Sequence, residues 1–181
     1  MESLGAEIVT VKMPERLGEY LEAWSVICSS EAASAHIDTY PSRAEEYGPW
    51  FRGWLRNGAS HTATDYAKAN TLRAACVGEL RNTMQGIDLL ACPSTHRSAY
   101  PITHEELYGP IPPSRVPWQS RFTAPYDYAG LPTISLPCGL NDRGVPLSLQ
   151  FVGHHLSEQL LVQAGHAFEQ ATNFHNLHPP I

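Results

Sequence analysis

The stretch from Arg121 to Gly153 constrains the fold most. It holds two short apolar runs, 133–137 and 147–152, rich in β-branched residues and leucine. Glycine and proline bound both runs, which predicts two buried strands. Between them lie Gly139, Asn141, Asp142 and Gly144. Glycine and asparagine tolerate positive φ, and aspartate bonds its own backbone, so these residues favour a tight turn. The expectation is an antiparallel hairpin. Pro137 has no N–H for a ladder and is expected at the end of the first strand.

Elsewhere helical spacing dominates. Between Pro14 and Ala35, Leu17, Tyr20, Leu21, Trp24, Ile27 and Cys28 recur every three or four residues. Pro14 suits the first turn of that helix, where a missing N–H costs little. Residues 62–85 carry the longest helical pattern, opened by the capping sequence Thr62-x-x-Asp65 and closed by Gly86. Its broad stripe is Tyr66, Ala69, Leu72, Arg73, Cys76, Val77, Leu80 and Met84. A shorter helix is expected over 49–56, its aromatic residues serving the core. The last helix is expected from Ser157, with a Leu156–Leu161 staple and an inner stripe of Leu160, Ala164, Phe168 and Ala171. Pro179 and Pro180 are expected to end the chain extended. Short strands are expected over 6–11 and 87–92. The proline-rich stretch 100–119 reads as a loop, a candidate lid or partner surface. The fold class that follows is α/β: a mixed β-sheet with helices on both faces.

Composition narrows the partners. A net charge of −6 and only two lysines, Lys12 and Lys68, argue against a nucleic-acid surface, which needs clustered cations. No apolar stretch approaches the roughly 20 residues that span a bilayer, so no membrane partner is expected. The first residues lack the basic and apolar regions of a signal peptide. Cys28, Cys76, Cys92 and Cys138 form no C-x-x-C pair, which favours a reduced cytoplasmic setting over a disulfide framework.

The candidates for chemistry are few. Arg73 lies on an apolar stripe, and desolvating a charge is costly. It reads either as a clamp for a substrate carboxylate or polar group, or as half of a structural ion pair. Cys138 follows a strand and precedes Gly139. A nucleophile is one reading, and a small buried hydrophobe is the favoured one. Nine histidines invite a metal, but the pairs His154–His155 and His175–His178 lack ligand spacing, so no metal is expected. Phosphate-cradling glycine loops and a G-x-S-x-G elbow are both absent from the sequence.

Several motifs occur in a fixed order: Gly5-Ala-Glu-Ile-Val, Glu31-Ala-Ala, Asp88 with Pro93, Phe122-Thr-x-Pro125, Gly130-x-Pro132, Ile134-Ser-x-Pro-Cys-Gly139 and Pro146-x-Ser-Leu-Gln-Phe-Val-Gly153. Together they resemble the C-terminal part of the amidase signature family, whose members include amidases and the A chain of glutamyl-tRNA(Gln) amidotransferase. Thr95-His96-Arg97 departs from the family's usual Thr-x-Pro. The resemblance implies that residues 1–181 are the C-terminal portion of a single amidase domain, with Met1 an internal start or a cut. The implied reaction is amide hydrolysis or glutamine amide transfer through an acyl-serine, with no cofactor. The implied partners are the missing N-terminal half, or a separate chain supplying it, and a small-molecule amide.

The resemblance also implies substrate-binding roles for Arg73 and Asp142; the bland reading of Asp142 is a plain turn residue. It implies that the catalytic serines, the lysine base and the oxyanion loop lie upstream. Ser29-Ser30 sit in a helical pattern without flanking glycines, so no catalytic residue is assigned. The chain alone is expected to be inactive and prone to association through unpaired edges. One component of a split amidase, or a non-catalytic small-molecule binding module, remain alternatives.

Overall fold

A computed structural model describes residues 1–109 and 120–177, apart from the side chains of Tyr108 and His175. Residues 110–119 of the expected lid, together with His178, Pro179 and Pro180, lie outside the described residues. The elements are α1 (Leu17–Ala35), α2 (Pro49–Ser60), α3 (Ala63–Thr83), β1 (Leu89–Pro93), α4 (His104–Tyr108), α5 (Ala124–Ala129), β2 (Thr133–Leu140), β3 (Pro146–Gly153) and α6 (Glu158–Ala171).

The hairpin forms as the apolar runs require. β2 and β3 pair antiparallel, with Ile134 opposite Phe151 and Leu136 opposite Leu149. β1 pairs antiparallel with the other side of β3, giving the order β1-β3-β2. Pro137 does not end its strand. The ladder shifts between Pro137 and Gly139, and β2 continues to Leu140. A bulge accommodates the missing N–H, because one extra residue interrupts the ladder there.

Period-two alternation sorts β3 between two cores. Phe151 packs with Leu136 and Leu161 beneath α6. Val152 packs with Leu90, Leu80, Met84 and Tyr126 toward α3 and α5. Helices therefore cover both sheet faces, in line with the α/β expectation. The parallel pairs that would make the sheet mixed are not among the described residues.

The helices largely follow their patterns. Thr62 caps α3 with the full capping box: its Oγ1 accepts from the Asp65 N–H at 3.1 Å, and the Asp65 carboxylate accepts from the Thr62 N–H at 2.9 Å. Gly86 follows the helix at φ +78, a conformation that β-carbons disfavour. Leu80 and Met84 are enclosed, each such side chain contributing about 1.5–3 kcal/mol of apolar burial. α1 starts at Leu17, so Pro14 precedes the first turn rather than opening it. α2 runs four residues past its expected end.

Two further expectations fail. Residues 6–11 form no strand, and Ile8 and Val9 are exposed. A strand exists only through hydrogen bonds to a neighbour, and no described segment pairs with these residues. The Leu156–Leu161 staple also fails: Leu156 takes φ +63 and is 91% exposed. α6 buries Leu161 and Gly165; Ala164 and Phe168 of the expected stripe are half-buried beside them, and Ala171 is exposed.

Candidate functional site

Arg73 lies on the exposed side of α3, not in the core. Its Nε–H donates to the Tyr128 carbonyl at 2.8 Å, tying α3 to α5. No carboxylate among the described residues forms an ion pair with it. The structural-pair reading therefore fails. The stripe tolerated a charge because the side chain emerges beside α5, a helix that periodicity did not reveal.

Arg73 does not stand alone. On α1, the Trp24 Nε1–H donates to the Asp127 carboxylate at 2.5 Å, joining α1 to α5. The Tyr66 hydroxyl donates to the Glu31 carboxylate at 2.8 Å, joining α3 to α1. Trp24 and Glu31 are seven residues apart, as are Tyr66 and Arg73, so each pair shares a helix face. Glu31 and Asp127 are exposed, and both bonds to them come from neutral donors. Cys28 lies on α1, between Trp24 and Glu31 in sequence. Burial foremost, then the Asp127 and Glu31 carboxylates, push its thiol up to about 11, while Arg73 pulls the other way. Sequence reasoning missed Trp24, Tyr66 and Asp127 as members of this junction; the seven-residue spacing was the available signal.

Asp142 sits exposed in the hairpin turn. Asn141 organises that turn instead: its Oδ1 accepts from the N–H groups of Arg143 and Val145, both at 2.9 Å. The Asn141 amide also donates to the Ser98 hydroxyl at 3.0 Å. No hydrogen bond or ion pair joins Asp142 to Arg73 among the described residues.

A second polar group lies on the sheet face toward α5. Gln150 is only 2% exposed, and its amide donates to the Phe122 carbonyl at 2.8 Å and to the Cys92 sulfur at 3.3 Å. The Ser94 hydroxyl donates to that of Ser135 at 3.0 Å. Cys138 is half-buried at the β2 bulge. Two shallow hollows, of about 240 and 320 Å³, lie elsewhere, against residues 12–15 with the end of α3 and on the Trp50–Trp54 face of α2.

The serine and lysine positions offer no acyl-transfer constellation. Ser29 is fully enclosed, and its hydroxyl donates to the Val26 carbonyl at 3.3 Å. Lys12 pairs with Glu15, and Lys68 is exposed on α3. A nucleophilic serine needs a base within about 2.6–3.2 Å and a hole of N–H donors, and neither lysine contacts Ser29 or Ser30. His154 and His155 each donate Nε2–H to a backbone carbonyl, of Ile87 and Ala129. No cluster of three metal-ligating side chains occurs among the described residues. No helix among them is long and apolar enough to cross a membrane.

The chain belongs to the amidase family: the Amidase family model matches residues 1–162. Among curated relatives, a putative amidase AmiD of Mycobacterium tuberculosis is 38% identical over 151 residues, covering 83% of this chain and 32% of the relative. The A chain of a glutamyl-tRNA(Gln) amidotransferase from Cyanothece sp. is 29% identical over 206 residues, covering 100% of this chain and 42% of the relative. Among solved structures, a crystal structure of an amidase superposes with a TM-score of 0.79 at 25% identity, covering 95% of this chain and 39% of that one. A 6-aminohexanoate cyclic dimer hydrolase superposes with a TM-score of 0.78 at 23% identity, covering 99% of this chain and 40% of that one, which shows the shared fold. The chain thus spans about a third to two fifths of the length of these relatives.

Proposed function

We propose that residues 1–181 are the C-terminal portion of one amidase domain, whose complete form cleaves amides or transfers the glutamine amide through an acyl-serine. The observation that carries the reading is a pairing of two facts. The match to the amidase family runs across residues 1–162, yet the only adjacent serines lie in α1 without a lysine beside them. The nucleophile, base and oxyanion donors then belong to the rest of the domain. This portion contributes the hairpin, one wall of the substrate cleft, and Arg73 and Asp142 as substrate-binding residues. Arg73 suits that role because it is exposed and its guanidinium is anchored through Nε, with further N–H donors on the same group. Its partners are the N-terminal half of the domain and a small-molecule amide. Four free thiols suit a reducing cytoplasm.

A split enzyme, with the two halves on separate chains, is favoured by one observation. Residues 6–11 form no strand and have no partner strand among the described residues, which leaves their backbone for a second polypeptide to pair with. The test is turnover of aryl amides, alkyl amides and glutamine by the purified chain, alone and with an N-terminal half from a related amidase. The chain alone stays at background, and the mixture turns over. Losing one oxyanion donor costs about 10²–10³ in rate, so losing nucleophile, base and donors together leaves nothing measurable. Turnover by the chain alone, abolished by Ser29→Ala or Ser30→Ala, refutes the proposal.

A further inference from the structure

We infer that the outer face of α2 is a binding site for a small aromatic carboxylate, its ring against Trp50 and Trp54 and its acid group held by Arg52 and Arg56. The inference goes beyond the amidase reading and does not depend on it.

Helical spacing builds this face. Phe51, Leu55 and Gly58 turn toward the rest of the chain, and Trp50 and Trp54 share a neighbouring side, four residues apart. Their indoles stack, with centroids 5.6 Å apart and planes inclined by 12°. Trp50 stays 40% exposed, unusual for so large an apolar side chain. The hollow of about 320 Å³ lies against them, lined by Pro49, Trp50, Gly53, Trp54 and Asn57. Gly53 gives it room, since a β-carbon there would meet nothing within 4 Å. Small-molecule clefts run from about 300 to 1,000 Å³, so this one suits a single ring system.

The charge around the hollow selects an anion. Arg56 is three residues from Gly53, and Arg52 is three from Pro49 and four from Arg56, so both neighbour the lining on the helix surface. Neither forms an ion pair among the described residues. No aspartate or glutamate occurs from Tyr47 to Thr64, although the whole chain carries −6. The Trp24 indole N–H is taken by Asp127, whereas those of Trp50 and Trp54 have no acceptor among the described residues. Free donors and unpaired cations call for a ligand that only accepts. A carboxylate does so; a carboxamide brings donors of its own, and an ammonium brings nothing else. The indoles supply the preference for a ring, because aromatic partners gain from offset or edge contacts that a saturated ring lacks. A second copy of the chain, seated face to face, would bring four guanidiniums together with no carboxylate between them.

The test is titration of the 181-residue chain with benzoate, benzamide and cyclohexanecarboxylate, followed by NMR at the indole N–H signals of Trp50 and Trp54. Trp50→Phe and Trp54→Phe assign those signals. Benzoate moves both and binds most tightly, with cyclohexanecarboxylate weaker by about two- to tenfold. In Arg52→Gln with Arg56→Gln, benzoate weakens about two- to fivefold for each charge removed, while benzamide is unchanged. Gly53→Leu fills the hollow and abolishes benzoate binding; the open space at that position lets the variant fold, which circular dichroism checks. Benzamide or cyclohexanecarboxylate binding as tightly as benzoate overturns the inference. So does benzoate binding that is unchanged in the double arginine variant or in folded Gly53→Leu. Benzoate that moves other signals and leaves Trp50 and Trp54 still also overturns it, as does the failure of every probe to bind. Trp50 and Trp54 signals that shift with chain concentration, and not with benzoate, assign the face to a second copy and refute the small-molecule site.

Discussion

Gly53 and Gly58 lie on the same helix, α2, and replacing each by alanine has opposite consequences. A β-carbon at Gly58 would stand 1.8 Å from the Ser29 carbonyl oxygen and 2.3 Å from its carbon. Both are backbone atoms of α1, so no side chain can swing aside. Ordinary contact begins near 3.4 Å, which requires α1 and α2 to part by about 1.5 Å. Such overpacking costs about 1–3 kcal/mol, and the helix preference of alanine returns at most about 1. A β-carbon at Gly53 meets nothing within 4 Å. There only the preference acts, and Gly53→Ala stabilises by about 0.5–1 kcal/mol.

Urea unfolding followed by circular dichroism reads both. Because both clashing atoms are backbone, the upper part of the overpacking cost applies, and a net loss of about 1–2 kcal/mol lowers the Gly58→Ala midpoint by about 0.5–1 M at a slope of about 2 kcal/mol per molar. Gly53→Ala raises it by about 0.3–0.5 M at an unchanged slope. A Gly58→Ala midpoint equal to or above that of wild type would refute the close α1–α2 approach. It would also remove the reason Ser29 is sealed from substrate, since the same contact covers it.

Thr62→Ala removes the α3 cap and costs about 1 kcal/mol, measured as a lowered thermal midpoint. The Thr62 hydroxyl foremost, then its backbone N–H, hold the Asp65 carboxyl below its ordinary 3.8. A depressed folded value means that the unfolded chain binds the proton first; the contribution is full above 3.8 and is lost as pH falls through the folded value. Asp65→Asn therefore lowers stability at pH 7, and its deficit against wild type shrinks in acid, which urea midpoints at the two pH values will show. Burial raises the Cys76 thiol to about 11, and the side chain is fully enclosed, so iodoacetamide at pH 8 leaves it unmodified until denaturant is added. Cys28, also raised to about 11 but partly exposed, reacts more slowly than free cysteine, as mass spectrometry of timed samples will show.

Local patterns were enough wherever the physics is local. The β2–β3 hairpin followed from two apolar runs around a Gly/Asn/Asp turn, because side-chain alternation and turn chemistry act over a few residues. The α3 cap followed from Thr62 and Asp65, three residues apart. The ordered Pro and Gly motifs of residues 122–153 carried the family, since each marks a backbone constraint that few other residues satisfy. Tertiary structure decided the rest. Residues 6–11 had strand composition, but a strand needs a partner, and composition does not supply one. Leu156 looked like a staple until its backbone turned it to water. Arg73 had the address of a core residue on α3, and only the docking of α5 showed that its side chain leaves the core and meets the Tyr128 carbonyl. Trp24, Glu31, Tyr66 and Asp127 come from three separate helices, and sequence spacing orders residues along one helix, not across the junction of three.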